Sequence, residues 1–325
     1  MSGNEPESEW RRPRIEQDAR PFFLVKGLKP LFIRFPRLAA AICGSIAAAL
    51  LRRACEESVK MIHQRIPERI RPILESYISR TSADLPGLIG GFYLVGSIAL
   101  DGFNEQYSDI DFVAVLNRAA HRADLEKLSA IHQEIEKDFP KWKMSGCYLR
   151  NFDLGRFEGE IEAQPYYHDG KLHERGHFEI NSVTWWILKN HGIAVSGPEP
   201  ADLPFQVDWD LLITRMKDNL NSYWLRWSNR VDGFLVLLSD WGIQWTVLGV
   251  LRQFYTFQKN AITTKTKAAE YALTRLPNQW HSIIREAIRI REGKKKSLYR
   301  SRIVRMLDAV KLLKYVIRKI NVEFQ

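Results

Sequence analysis

The chain has 325 residues, 45% hydrophobic and 26% charged, an ordinary composition for a soluble globular protein and long enough for two domains with their own cores. Its three cysteines (Cys43, Cys55 and Cys147) show no metal-ligand spacing. Their odd number, without a clear signal peptide, argues against a disulfide framework and for a reducing cytoplasmic setting. The formal net charge is +10, and Arg285 to Lys319 alone holds thirteen Lys or Arg against three acids; such a face is either a solvated helix surface or a lure for nucleotides, nucleic acid or anionic lipid.

Residues 1–60 read as an N-terminal extension. The first 20 or so are polar and charged, with Pro6 and Pro13, as in a disordered segment. Leu38 to Leu51 is largely apolar and flanked by Arg34, Arg37, Arg52 and Arg53. Its fourteen residues fall short of the roughly 20 that a membrane span needs, and it lacks a convincing cleavage site. It reads as an accessory helix resting on a surface or partner; membrane contact is the less favoured reading.

From Glu57 to Arg80 apolar residues recur mostly at three and four, an amphipathic helix that Pro67 and Pro72 must kink or divide. "GFYLVG" and "DIDFVAVL" follow as strands, the second apolar on nearly every residue after its acids, as in a sheet covered on both faces. Asp124–Phe139 is a helix, and "KMSGCYLR" a third strand. Residues 151–180 read as a long loop region with one candidate strand. Ser182–Gly192 is a short helix with a Ser cap, and "IAVSGPEP" closes the domain. From Asp208 onward the pattern is helical: a helix opening at Leu211, then Trp241–Phe257, Lys265–Leu276, Asn278–Arg291 and Arg302–Ile320. Short connections predict an antiparallel bundle. The expected fold is a small mixed-sheet α/β domain (61–204) followed by an all-helical domain (205–325).

The chemistry sits in "GSIALDGFNEQYSDIDF", residues 96–112. A strand runs into Gly96-Ser97; Gly allows close backbone approach, and the Ser hydroxyl with amides at a following helix N-terminus can hold a phosphate. A second strand then offers Asp109 and Asp111. Residues i and i+2 of a strand share a face, so two like charges lie side by side, an arrangement that asks for a cation. Hard oxygen ligands beside a phosphate site suggest Mg²⁺, and the pair suggests phosphoryl or nucleotidyl transfer. The plainer reading makes Ser108-Asp109 a turn cap and Asp111 a salt-bridge partner; the preceding Gly-Ser at this spacing weighs against it.

These residues resemble the polymerase-β nucleotidyltransferase superfamily. More narrowly, the chain resembles the aminoglycoside 3''-adenylyltransferase family (streptomycin/spectinomycin type), through "WWILKNHGIAVSGPEP", "VLGVLRQFYTFQKNAITTKTKAAEYALTRLP" and "QWHSIIREAIRIREG". The likeness covers roughly residues 65–320. It implies that Asp109 and Asp111 bind Mg²⁺ and that Gly96 and Ser97 hold the ATP triphosphate, with Ser108 in support. It implies contacts to ATP phosphates from Arg252 and Lys265, ATP in a cleft between domains, and an AMP ester on a hydroxyl of a small polar molecule such as an aminoglycoside-type antibiotic. Two alternatives stay open: nucleotidylation of a macromolecule (tRNA or protein), and a catalytically weak nucleotide-binding relative.

The chain departs from that pattern in three places. The family's general base, a Glu on the third strand, falls at Ser145; Glu158, Glu160, Glu162 and Glu179 are candidates to replace it. An Asp that contacts the cationic drug falls at Gly242, with Asp240 a possible stand-in. An aromatic position near ATP falls at Arg291. His168, His173 and His177 with Asp169 fit no standard zinc spacing and read as a polar loop or lid. The Trp residues read mostly as helix packing, Cys147 as a structural thiol, and the basic face, without an RNA-binding signature, leaves nucleic acid outside the expected partners.

Overall fold

In the computed structural model, residues 65–324 are described. The apolar segment 38–51, and with it the expected contact with a surface, partner or membrane, lies outside the described residues, as does the start of the helix expected from Glu57.

Helix α1 is Arg71–Asp84. Pro72 sits in its first turn, where the missing N–H costs nothing. It therefore starts the helix rather than kinking it. Strand β1 (Ile89–Leu94) leads through Val95 into the single turn α2 (Gly96–Ala99). The chain returns as β2 (Ile110–Leu116), crosses over through α3 (Arg122–Asp138), and enters β3 (Met144–Arg150). Helix α3 begins two residues ahead of the expected start, because the Asp124 carboxylate accepts from the His121 amide at 2.8 Å and closes a capping box.

Residues 151–180 hold two strands, not one. Strands β4 (Gln164–His168) and β5 (Lys171–Gly176) form a hairpin joined by Asp169-Gly170. Both joining residues have positive φ (49° and 74°), the conformation a two-residue hairpin turn requires. Helix α4 (Ser182–His191) follows, and its cap is Asn181 rather than Ser182: the Asn181 side chain accepts from the amides of Val183 and Thr184. Ile193–Ser196, expected only as a closing turn, is strand β6, paired with β1.

The sheet order is β5-β4-β3-β2-β1-β6. Only the β2–β3 pair, joined by the α3 crossover, is parallel; the others are antiparallel. The expected mixed sheet is present. One face packs on α1 and α3 through Tyr77, Phe92, Phe112, Leu128 and Ile131; the other buries Val113, Cys147, Leu149 and Trp185. Double coverage explains why β2 reads as a continuous apolar run.

The remainder is helical, as expected. Helix α5 (Trp209–Asn219) passes through a π turn (Leu220–Trp224) into Leu225–Trp227. Then come α6 (Val231–Leu237), α7 (Asp240–Lys259), α8 (Lys265–Arg275), α9 (His281–Arg291) and α10 (Arg302–Glu323). Helix α7 is the bundle's centre: Ile243, Val247, Leu251 and Phe254 pack against residues of α8, α9 and α10 in one hydrophobic cluster. Trp224 and Trp227 pack on Trp245, the helix-packing role expected of them; Trp241 stacks on Trp245 too but stays exposed.

Candidate active site

The antiparallel β1–β2 pair brings the end of β1 beside the start of β2. Val95 donates to the Asp111 carbonyl at 2.9 Å. The chain then turns through Gly96, whose φ is +60°. A Cβ there would meet the Asp111 carboxylate at 2.0 Å, so only Gly lets the turn close against that side chain. The Ser97 amide donates to the same carboxylate. The Ser97 hydroxyl is buried without a partner, an orphaned donor of the kind a bound anion satisfies.

Asp111 is the second residue of β2; Asp109 stands one residue before the strand rather than in it. Asp109 adds to the cost of ionising Asp111. Burial first, then the charges of Glu179 and Asp109, push Asp111 up to about 8. Asp109 is raised as well, by burial first, with Asp169 adding and His168, Lys143 and Lys265 opposing. Glu179, one of four acids considered as a substitute base, thus reaches the site. It has a positive φ of 59°, uncommon for a residue other than Gly, Asn or Asp. Its carboxylate accepts from the Thr184 hydroxyl at 2.9 Å.

Three cations come from the helical part. Lys265 is the first residue of α8, after the N-cap Thr264. Burial, then Arg252 and Arg291, push it down to about 7, against the pull of Asp111 and Asp109. Arg252, midway along α7, is lowered by burial while Glu179 and Asp111 favour its charge. Arg291, a position the sequence reading associated with an aromatic residue, ends α9. Its guanidinium donates to the Ser108 hydroxyl at 2.9 Å, and its own carbonyl accepts from the Asn104 side chain at 2.9 Å. Ser108 is thereby tied to the helical part. Of the residues singled out from sequence, Asp109, Asp111, Gly96, Ser97, Arg252 and Lys265 converge here, and Arg291, noted there only as a departure from an expected aromatic, joins them.

Ser145 pairs with Asp111 in the parallel β2–β3 register, where the family's acid was expected. Its hydroxyl lies 3.0 Å from Nδ1 of His168 on β4. His173 instead stacks on Tyr166, and His177 Nε2 lies 3.3 Å from the Ile161 carbonyl. The histidines do not converge. Among the described residues, no group of three or more His, Cys, Asp or Glu is arranged to hold a metal ion. Cys147 is buried, and burial pushes its thiol far up.

Two other expectations are resolved. A Cβ at Gly242 would lie 2.1 Å from the Val236 carbonyl oxygen, so no acidic side chain fits there without a shift. Asp240 does not stand in freely: Arg305 donates to it at 2.6 Å, and Arg289 lies 3.6 Å from its other oxygen. Arg289, Arg291 and Arg305 are all buried, so part of the apparent basic face points inward. No helix of the described residues is long and apolar enough to cross a membrane.

Asp111, whose charge burial and negative neighbours including Asp109 disfavour, lies against the Gly96 turn, after which the Ser97 hydroxyl is buried unpaired. A cation relieves that cost.

Comparison with known proteins agrees with this layout. Residues 75–154 match the family described as "Nucleotidyltransferase domain". Residues 229–313 match "Aminoglycoside adenylyltransferase, C-terminal domain". No curated protein matches the chain significantly. Among solved structures, spectinomycin adenyltransferase AAD(9) from Enterococcus faecialis, with ATP and spectinomycin, is similar over 75% of this chain and 98% of that one, with a TM-score of 0.54 and 14% sequence identity. At that identity the likeness is one of fold.

Proposed function

We propose that this chain, which joins a nucleotidyltransferase domain to the C-terminal domain of aminoglycoside adenylyltransferases, transfers AMP from ATP to a hydroxyl of a small polar molecule of the aminoglycoside-antibiotic type. The observation that carries the reading is the convergence of Asp109, Asp111, Gly96 and Ser97 with Arg252, Lys265 and Arg291. Acids for a metal, a cradle for phosphate and cations for departing pyrophosphate meet in one place.

Asp109 and Asp111 would hold Mg²⁺, which when bound would polarise the triphosphate. The rest is work for the chain itself. The Ser97 hydroxyl binds a phosphate oxygen, while the Ser97 amide stays on the Asp111 carboxylate. Arg252 and Lys265 balance the charge that builds on pyrophosphate as it leaves. The N-terminus of α8, which carries Lys265, adds a partial positive charge. Arg291 fixes Ser108 and so the loop that leads into Asp109. We place the boundary between the nucleotidyltransferase domain (61–204) and the helical domain (205–325) between β6 and α5, with ATP at the junction. Cytoplasm, where ATP is plentiful, is the setting we favour.

In the adenylyltransferase neighbour the crystallised partners are ATP and spectinomycin, so spectinomycin and streptomycin head the list of acceptors. The test is transfer of α-labelled AMP from ATP, with Mg²⁺, to these two drugs, a lincosamide and bulk tRNA. Label on a drug supports the reading. Label on tRNA alone would replace it with macromolecular nucleotidylation. Tight ATP binding without transfer to any acceptor would mark a catalytically weak relative.

A further inference from the structure

The reading above leaves the acceptor hydroxyl without a base, because Ser145 occupies the register where an acid was expected. A neutral serine takes up no proton by itself. The geometry points to a Ser145–His168–Asp169 relay as the proton acceptor of this site. The relay rests on the adenylyl-transfer reading and extends it.

The placement follows from the strand register. Ser145 is the β3 partner of Asp111. In the antiparallel β3–β4 pair, Gly146 faces Tyr167. The next position along brings Ser145 opposite His168, and the hydroxyl and Nδ1 lie 3.0 Å apart. On the other side of the ring, Nε2 lies 3.4 Å from a carboxylate oxygen of Asp169. Asp169 is largely exposed and makes no hydrogen bond to the ring here; a carboxylate that closed on Nε2 would favour the tautomer protonated there and leave Nδ1 bare to accept from the serine. The ring is backed by Phe178, with centroids 4.4 Å apart. The left-handed Asp169-Gly170 turn places Asp169 directly after His168 at the hairpin tip.

In the reaction, the acceptor hydroxyl passes its proton to the Ser145 oxygen as Ser145 passes its own to His168 Nδ1. The freed electron pair forms the bond to the α-phosphorus of ATP. The bond from that phosphorus to the bridging oxygen breaks, and pyrophosphate leaves with its electrons. Asp169 stabilises the imidazolium. Ser145 touches the substrate; His168 acts through it and Asp169 orients His168.

The test uses the full chain, ATP, Mg²⁺ and whichever of spectinomycin or streptomycin accepts AMP. His168→Ala lowers kcat by about 10²- to 10⁴-fold, the usual worth of a positioned base, and leaves KM for ATP nearly unchanged. Added imidazole restores part of that loss. So does Ser145→Glu in the His168→Ala background, which puts a carboxylate in the vacated space. A structural role for His168 predicts neither rescue. His168→Ala with kcat close to wild type overturns the relay, as does a loss that neither imidazole nor the glutamate recovers. Glu179→Gln, run alongside, shows whether that acid is the base instead: if it abolishes turnover while His168→Ala does not, the relay is wrong. A wild-type chain inert towards every acceptor sinks the adenylyl-transfer reading itself, and the relay with it. A wild type that transfers AMP, matched by His168→Ala, sinks the relay alone.

Discussion

Oδ2 of Asp111 lies 2.0 Å from where a Cβ would stand on Gly96. The turn after β1 and the acid on β2 therefore fit one another only because position 96 has no side chain. Gly96→Ala meets two penalties. The φ of +60° costs an alanine about 1–2 kcal/mol, and the new methyl group displaces the carboxylate. We expect a fall of a few degrees in Tm and a much larger loss, at least about tenfold, in Mg²⁺-dependent ATP affinity. Differential scanning fluorimetry with ATP titration checks both; unchanged affinity would detach Gly96 from the site.

Lys265 and Arg291 lie on different helices and both feel the charges of Asp109 and Asp111, and their removal should read differently. Lys265→Ala weakens ATP binding and leaves the fold intact. Arg291→Ala also frees Ser108, to which it donates at 2.9 Å. It should loosen the 104–108 loop against α9 as well as weaken ATP. Hydrogen exchange on the two variants separates these effects: faster exchange in the loop is expected for Arg291→Ala and not for Lys265→Ala.

Introducing by Gly242→Asp the acid that the resemblance leads one to expect there should not improve aminoglycoside recognition. The added Cβ would lie 2.1 Å from the Val236 carbonyl, a backbone atom that cannot rotate away. The expected result is destabilisation of about 1–3 kcal/mol, as for overpacking, with no gain in streptomycin turnover. A variant of wild-type Tm that turned over streptomycin faster would show that the α6–α7 junction yields.

The buried Glu286 should set the acid limit of the helical domain. Its carboxylate accepts from Arg289 at 2.9 and 3.0 Å, from Arg305 at 3.2 Å, from the Ser297 hydroxyl at 2.7 Å and from the Leu298 amide at 2.9 Å. Burial alone would raise its pKa, but these partners outweigh it and hold the group down to about 2, against an ordinary 4.5. Between those values the unfolded chain binds more protons than the folded one. The contribution is thus complete above pH 4.5 and lost as pH falls towards 2. Glu286→Gln leaves Arg289 and Arg305 undercompensated and costs about 3–5 kcal/mol. It should also flatten the Tm-versus-pH curve in that window; an unaltered acid limb would place the sensitivity elsewhere.

What could be read from the chain alone followed from local patterns. After Asp111, β2 is apolar because both sheet faces are covered, and that run, with Gly96-Ser97 before it, made Asp109 and Asp111 legible. The helices from α7 onward announced themselves by periodicity and caps. The β4–β5 hairpin was missed although Asp169-Gly170 is a strong two-residue turn signal, because the flanking strands mix aromatic, charged and histidine residues without clean alternation. β6 was too short to stand out. Arg291 meets Ser108, and His168 meets Ser145, only through long-range packing: one from α9 to the loop before β2, the other across a strand register that nothing local specifies. Asp240, by contrast, looked free in sequence and is engaged by Arg305 and Arg289.

The most direct measurement is calorimetric titration of ATP into the wild-type chain, Asp109→Asn and Asp111→Asn, each with Mg²⁺ and with EDTA. If the paired carboxylates hold a metal against the triphosphate, wild type binds ATP far more tightly with Mg²⁺. Each variant, still folded, then loses that difference together with AMP transfer. Equal ATP affinity with and without Mg²⁺ in the wild type, or full Mg²⁺ dependence in either variant, would contradict the account.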